Sequence, residues 1–247
     1  MSREASLQEL LNSAIENQTN NYYTSIPCVV VSVVGNLETQ LVNIQPTINQ
    51  LREDGTTAEQ SVIMGVPVSF PVSRTAGLTF PIKAGDTGMA VFSMRSLEVW
   101  KSGNGYPSTP NNFAKMDKSD AVFYPGIQPP SLAVNNPAKR SWDHDTNDTV
   151  LVNGVGTEVE VEIRLKQNGN ILIRTRKDVE VEADNVNVLA NTSATVTTPQ
   201  LTINADETLW TGNVTHIGTF TFNSIPFATH KHVGVTSGNQ TSGTPVA

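Results

Sequence analysis

The sequence predicts a mainly β protein: a small N-terminal barrel followed by a long stack of very short strands. Apolar residues alternate at period two from Ser25 onward, Gly, Pro, Asn and Asp punctuate the runs, and an apolar pair recurs every seven to eight residues from Ile171 to Ile203. Composition fits such a chain, since only 38% of its 247 residues are hydrophobic and 16% are charged, against roughly 25% charged in an ordinary globular domain. A chain poor in both core formers and charges is expected to share a narrow core with copies of itself, because assembly removes surface that a monomer leaves in water.

Residues 1–20 predict a leader helix: Leu7, Leu10, Leu11, Ala14 and Ile15 fall at helical spacing, with Ser6 as N-cap and Glu9 three residues on. Over 21–101 the segments 26–34, 40–45, 66–72, 89–92 and 97–101 read as strands. Five strands over roughly 80 residues fit a small Greek-key barrel of the OB type. Barrels of that type often bind nucleic acid through stacking aromatics interleaved with basic residues. These strands supply few of either, and a net charge of −7 with 16 Lys and Arg gives no phosphate-neutralising stripe. A scaffold role without nucleic acid is therefore expected. The single Cys28 excludes an intrachain disulfide and reads as a buried small hydrophobe. No apolar run approaches the ~18 residues of a membrane span, and the N-terminus is polar rather than signal-like.

Residues 102–150 read as an irregular connector packed on the barrel, a Gly-, Asn- and Pro-rich loop followed by Pro125, Pro129, Pro130 and Pro137. Within it Asp143-His144-Asp145 reads as solvated connector, because adjacent loop residues carry no ligand geometry of their own. From 158 to 165 charged and apolar residues alternate strictly, which predicts a strand with its apolar side buried and its charged side in water. Apolar or small pairs then recur at Ile171/Ile173, Val179/Val181, Val186/Val188, Ala194/Val196 and Leu201/Ile203, in steps of 8, 7, 8 and 7. No such unit buries its narrow face alone, so the units must stack. A single-chain three-sided β-helix would do this. Three parallel chains, intertwined as a β-helix or β-prism needle over 151–227, would also relieve the low hydrophobic content, and that homotrimer is the favoured reading. Such a shaft has every strand paired and is stiff along its length.

The last segment, 228–247, predicts a metal-binding apex. In extended backbone His230 and His232 point to one side and Lys231 to the other. Two imidazoles make an incomplete site, but three chains meeting at an axis present six, an octahedral set suited to a first-row transition ion. His216 lies in the preceding strand and reads as structural.

Three stretches and the terminal motif together resemble the central spike of contractile-tailed phage baseplates, the membrane-puncturing family. They are Val66-Pro67-Val68-Ser69-Phe70-Pro71, then Thr79-Phe80-Pro81-Ile82-Lys83-Ala84-Gly85-Asp86-Thr87-Gly88, then Asp120-Ala121-Val122-Phe123-Tyr124-Pro125-Gly126, and finally Thr229-His230-Lys231-His232 with its trailing glycines. The resemblance implies an OB-fold collar, a trimeric β-helical needle, and an apex in which one iron ion per trimer is buried on six histidines, His230 and His232 of each chain. It also implies attachment to hub and tube proteins at the tip of the tail, in the virion, and passage through the host outer membrane. Some relatives carry a lysozyme domain between barrel and needle, for which 102–150 leaves no room. The enzymatic alternative, a β-helical tailspike depolymerase, needs two carboxylates facing a sugar cleft. Glu158, Glu160, Glu162, Asp178, Glu180 and Glu182 alternate beside Arg and Lys and read instead as a solvated face, so no catalytic residue is expected.

Overall fold

The computed structural model describes residues 6–20, 22–35, 40–52 and 54–226, in a chain that divides into two units, Met1–Val181 and Glu182–Ala247. The protein is mainly β. The first unit opens with α1 (Leu7–Asn20), which begins with a reciprocal cap: Ser6 Oγ accepts from the Glu9 N–H at 3.2 Å, and Glu9 Oε2 accepts from the Ser6 N–H at 2.7 Å.

Strands β1 (Ser25–Val34), β2 (Leu41–Pro46), β3 (Gln50–Leu51), β4 (Thr57–Ala58), β5 (Ile63–Pro67) and β6 (Thr87–Phe92) follow; then come a short helix α2 (Glu98–Lys101) and β7 (Ala121–Pro125). Five of these strands form one antiparallel sheet in the order β5-β2-β1-β6-β7, and β3 pairs with β4 in a small ribbon. The sheet curls into a half-barrel. Its long first strand pairs with β6 over Ser25–Val29 and with β2 from Cys28 onward, and the register slips between Val30 and Ser32. That bulge bends β1. A second irregularity lies between β2 and β5, where Gly65 adopts φ +62 and donates its N–H to Asn43 Oδ1 at 3.0 Å. Asn43 Nδ2 also donates to Ser32 Oγ at 2.9 Å, so one side chain joins the two distorted places. The curl carries the outer strands toward each other: Val68 forms an isolated bridge to Phe123, and the Ser69 N–H donates to the Phe123 carbonyl at 2.8 Å. Inside lie Val30, Val42, Ile44, Val66, Ala90 and Phe123, each almost wholly buried.

Two strand expectations need correction. Segment 97–101 is a helical turn, because the buried carboxylate of Asp120 accepts from the Leu97 N–H at 2.7 Å and fixes a bend there. The fifth strand is instead β7, within the segment expected to be irregular. Ala121 and Phe123 face the core while Tyr124 faces out, a period-two signal too short to stand out between prolines. The strand expected over 66–72 ends at Pro67, where the backbone leaves the ladder.

Strands β8 (Thr149–Asn153), β9 (Val161–Leu165) and β10 (Ile171–Thr175) form a second antiparallel sheet in the order β10-β9-β8. In the second unit, among the described residues, the paired strands are β11 (Thr221–Phe222) and β12 (Ile225–Pro226), joined through Asn223 and Ser224 at positive φ. No described helix is long and apolar enough to cross a membrane.

Candidate functional site

Among the described residues, the buried ion pairs of the first unit gather on the second sheet. β9 alternates as the sequence predicts, yet its polarity is the reverse of the expectation. Glu162 and Arg164 are buried at 1% and 4% exposure, as is Glu160 just before the strand at 1%, whereas Ile163 is 41% and Leu165 50% exposed. Glu158, Asp178, Glu180 and Glu182 are exposed as expected, whereas the expectation of a solvated acidic face is corrected for Glu160 and Glu162.

The reason is Arg140, supplied by the connector. A 3-10 turn at Pro137–Lys139, capped by Asn136 Oδ1 accepting from the Ala138 N–H at 3.0 Å, delivers Arg140 onto the sheet. Its Nε lies 3.1 Å from Glu160 Oε1 and its Nη2 2.8 Å from Glu162 Oε2. The other Glu160 oxygen accepts from the backbone N–H groups of Ser141 at 2.8 Å and Gly156 at 2.7 Å. Gly156 has φ +73, and a Cβ there would stand 2.7 Å from the Lys139 carbonyl, so only glycine allows this close approach. Arg164 Nη2 is 3.0 Å from Glu162 Oε2, and its Nη1 is 3.6 Å from Asp148 Oδ2. Arg174, directly across from Glu162 in the ladder, brings Nη1 to 3.9 Å from Glu162 Oε1. Trp142 then covers the edge, with the guanidinium carbons of Arg174 and Arg176 each 5.3 Å from its ring centroid.

The three-residue cluster 143–145 is divided by this packing. His144 is buried, with Nε2 2.7 Å from Asn135 Oδ1, while Asp145 closes a turn by accepting from the Asn147 N–H at 2.9 Å. Among the described residues no group of His, Cys, Asp and Glu is arranged to hold a metal ion. His216 makes a T-shaped contact with Phe220 at 5.7 Å. His230 and His232 lie outside the described residues. Cys28 is buried as expected, and burial pushes its thiol up to about 11.

Protonation couples to this network. Burial by itself would raise the Glu160 carboxyl, but the Gly156 and Ser141 hydrogen bonds and then the Arg140 guanidinium outweigh it and hold the group below its ordinary 4.5. Burial first, then the nearby Arg140 and Arg164, push the His144 imidazole below its ordinary 6.5. Both shifts act in one direction. A carboxyl lowered by folding stabilises above its unfolded pKa and loses that contribution as pH falls through the folded value. An imidazole lowered by folding is favoured neutral, so its contribution is complete above 6.5 and also declines as pH falls. The urea midpoint of the first unit is therefore expected to be level between about pH 7 and about pH 8 and to fall steadily toward about pH 4. A midpoint that rose on acidification would contradict the network as described.

A curled antiparallel sheet with an apolar interior, followed in the chain by a sheet locked through buried ion pairs, defines a β scaffold. Residues 26–126, which span nearly all of the five-stranded sheet, match the family model described as the phage protein Gp138 N-terminal domain. That match supports a phage structural protein and is consistent with a place in the virion. No curated protein matches the chain. The sequence reading missed Arg140 as the organising residue, and the available signal was the Lys139-Arg140 pair, whose arginine stands 20 residues before Glu160 in the alternating run.

Proposed function

We propose that this chain is the envelope-piercing spike at the tip of a contractile phage tail. The observation that carries the reading is a match to a phage structural family followed, in the same chain, by an apolar series without a core of its own. Val179, Val181, Val186, Val188, Val196, Leu201 and Ile203 are each more than half exposed. Aliphatic side chains recurring at that spacing are stabilised when neighbouring chains cover them.

In this reading the five-stranded sheet is an OB-type collar, and the meeting of its outer strands at Val68 and Phe123 supports that closure. Residues 151–227 of three chains form a β-helix or β-prism shaft, with the β8–β10 sheet of each chain at its start. Residues 228–247 form the apex, where His230 and His232 of three copies hold one iron ion. The ion joins three chain ends into one point, so that load does not fray the tip. The partners are two further copies and the hub and tube proteins of the baseplate at the distal end of the tail. The host outer membrane is penetrated mechanically during contraction, and neither catalysis nor nucleic-acid binding is involved.

Native mass and metal analysis of the purified protein test this. A homotrimer with one iron per three chains is expected, and His230→Ala together with His232→Ala should remove the metal. A monomer would overturn the spike, and a trimer without stoichiometric metal would overturn the apex.

A further inference from the structure

The outward face of the second sheet has the composition of an interior. Leu151, Ile163 and Ile173 stand abreast across β8, β9 and β10, with Leu165 and Ile171 beside them. Leu151 is 53% and Ile173 58% exposed. No charged residue lies on this face, since its remaining positions are Thr149, Asn153, Val161 and Thr175. The sheet cannot turn over to bury it, because Glu162 and Arg164 on the reverse face are fixed by Arg140 and Asp148. Six large aliphatic side chains present a patch of several hundred Å², at or above the size that monomers ordinarily leave in water.

We propose that this face is where a second copy of the chain packs, so that the corresponding faces of the copies meet about their common axis. The assignment rests on the oligomer required by the proposed function and specifies which surface makes it. Charge favours a copy as the occupant: each chain carries −7, so contact between copies is least costly on a face with no charge at all. The apolar surface also extends past the sheet. A groove of about 380 Å³ separates Leu151 and Ile163 from the loop bearing Leu78 and Phe80, giving a neighbouring copy a place to seat side chains. The pair Ile171/Ile173 on this face is moreover the first member of the series that continues at Val179/Val181, so one apolar pattern runs from this sheet into the second unit's sequence. A lipid surface fits less well, because a net-negative chain with no cation on the face lacks attraction for anionic headgroups.

Thiol accessibility in the full-length protein tests this without disrupting the fold. Cys28 is buried and stays unlabelled, so Ile163→Cys and the fully exposed control Glu158→Cys each introduce one reactive site. Maleimide is expected to label Cys at 158 rapidly and Cys at 163 at least ~100-fold more slowly in the assembled protein, a protection reflecting rare opening of a packed surface. The rates at the two introduced positions should become equal in denaturant, where the newly exposed Cys28 adds the same second reaction to both variants. Ile163→Glu, on native mass analysis, should shift the protein to monomer while its far-ultraviolet circular dichroism is retained. An oligomer in which position 163 labels as fast as 158 would overturn this assignment and leave the spike reading standing. A monomeric wild-type protein would overturn both. Protection of position 163 that appears only with phosphatidylcholine vesicles would make lipid the occupant and overturn the proposal.

Discussion

Arg140→Ala is expected to destabilise the second sheet and its connector by about 3–5 kcal/mol, the usual cost of removing one member of a buried ion network. The side chain is 2% exposed and touches two carboxylates that are 0% exposed. Its loss leaves Glu160 facing only the donors of Ser141 and Gly156 and leaves Glu162 dependent on Arg164 and the longer contact to Arg174. Each remaining negative charge would then be buried with too little compensation. The measurement is urea unfolding followed through Trp142 as the single fluorophore, in a Trp100→Phe, Trp210→Phe background. The double variant Arg140→Met, Glu160→Met should cost less than the two single changes added together, because each charge then leaves with its partner. Strict additivity would show that the two groups do not act as a pair.

Phe123→Ala is expected to cost a further class of stability, about 3–5 kcal/mol, by opening a cavity at the centre of the curled sheet. Phe123 is 0% exposed, pairs with Ala90 across the ladder, and carries the bridge to Val68 that draws the outer strands together. Its ring also packs so closely on Gly88 that a Cβ there would collide with it and with the Tyr124 carbonyl. Phe123→Leu keeps most of the volume and should cost less than about 1.5 kcal/mol. A cooperative unfolding transition monitored by circular dichroism separates the two outcomes. Equal, small losses for both variants would mean that the sheet relaxes around the site and that its curl does not depend on this ring.

These two predictions concern different kinds of residue, and the sequence treats them differently. Phe123 sits in a five-residue alternating run hidden among prolines, so its strand is visible only once β6 is there to pair with it. Val30, Val42 and Ile44 lie in runs long enough to declare themselves, and their strands are readable directly from period two. The helix start at Ser6 is equally local, because the cap joins residues three apart. By contrast, the bend at 97–101 depends on Asp120, a residue distant in sequence whose carboxylate reaches back to it.

The sequence alone therefore determined the β character of the chain, the strands with long alternating runs, the absence of a disulfide framework and the recurrence of apolar pairs beyond Ile171. Those properties follow from backbone geometry and side-chain period, which act between near neighbours. Which side of β9 turns inward was decided only by tertiary structure. Alternation sorts residues onto two faces but does not say which face is covered, and burial of apolar side chains would ordinarily choose. Here Arg140, Asp148 and Arg174 bring opposite charges to Glu160, Glu162 and Arg164 from other segments, which compensates their desolvation and leaves the aliphatic face outward.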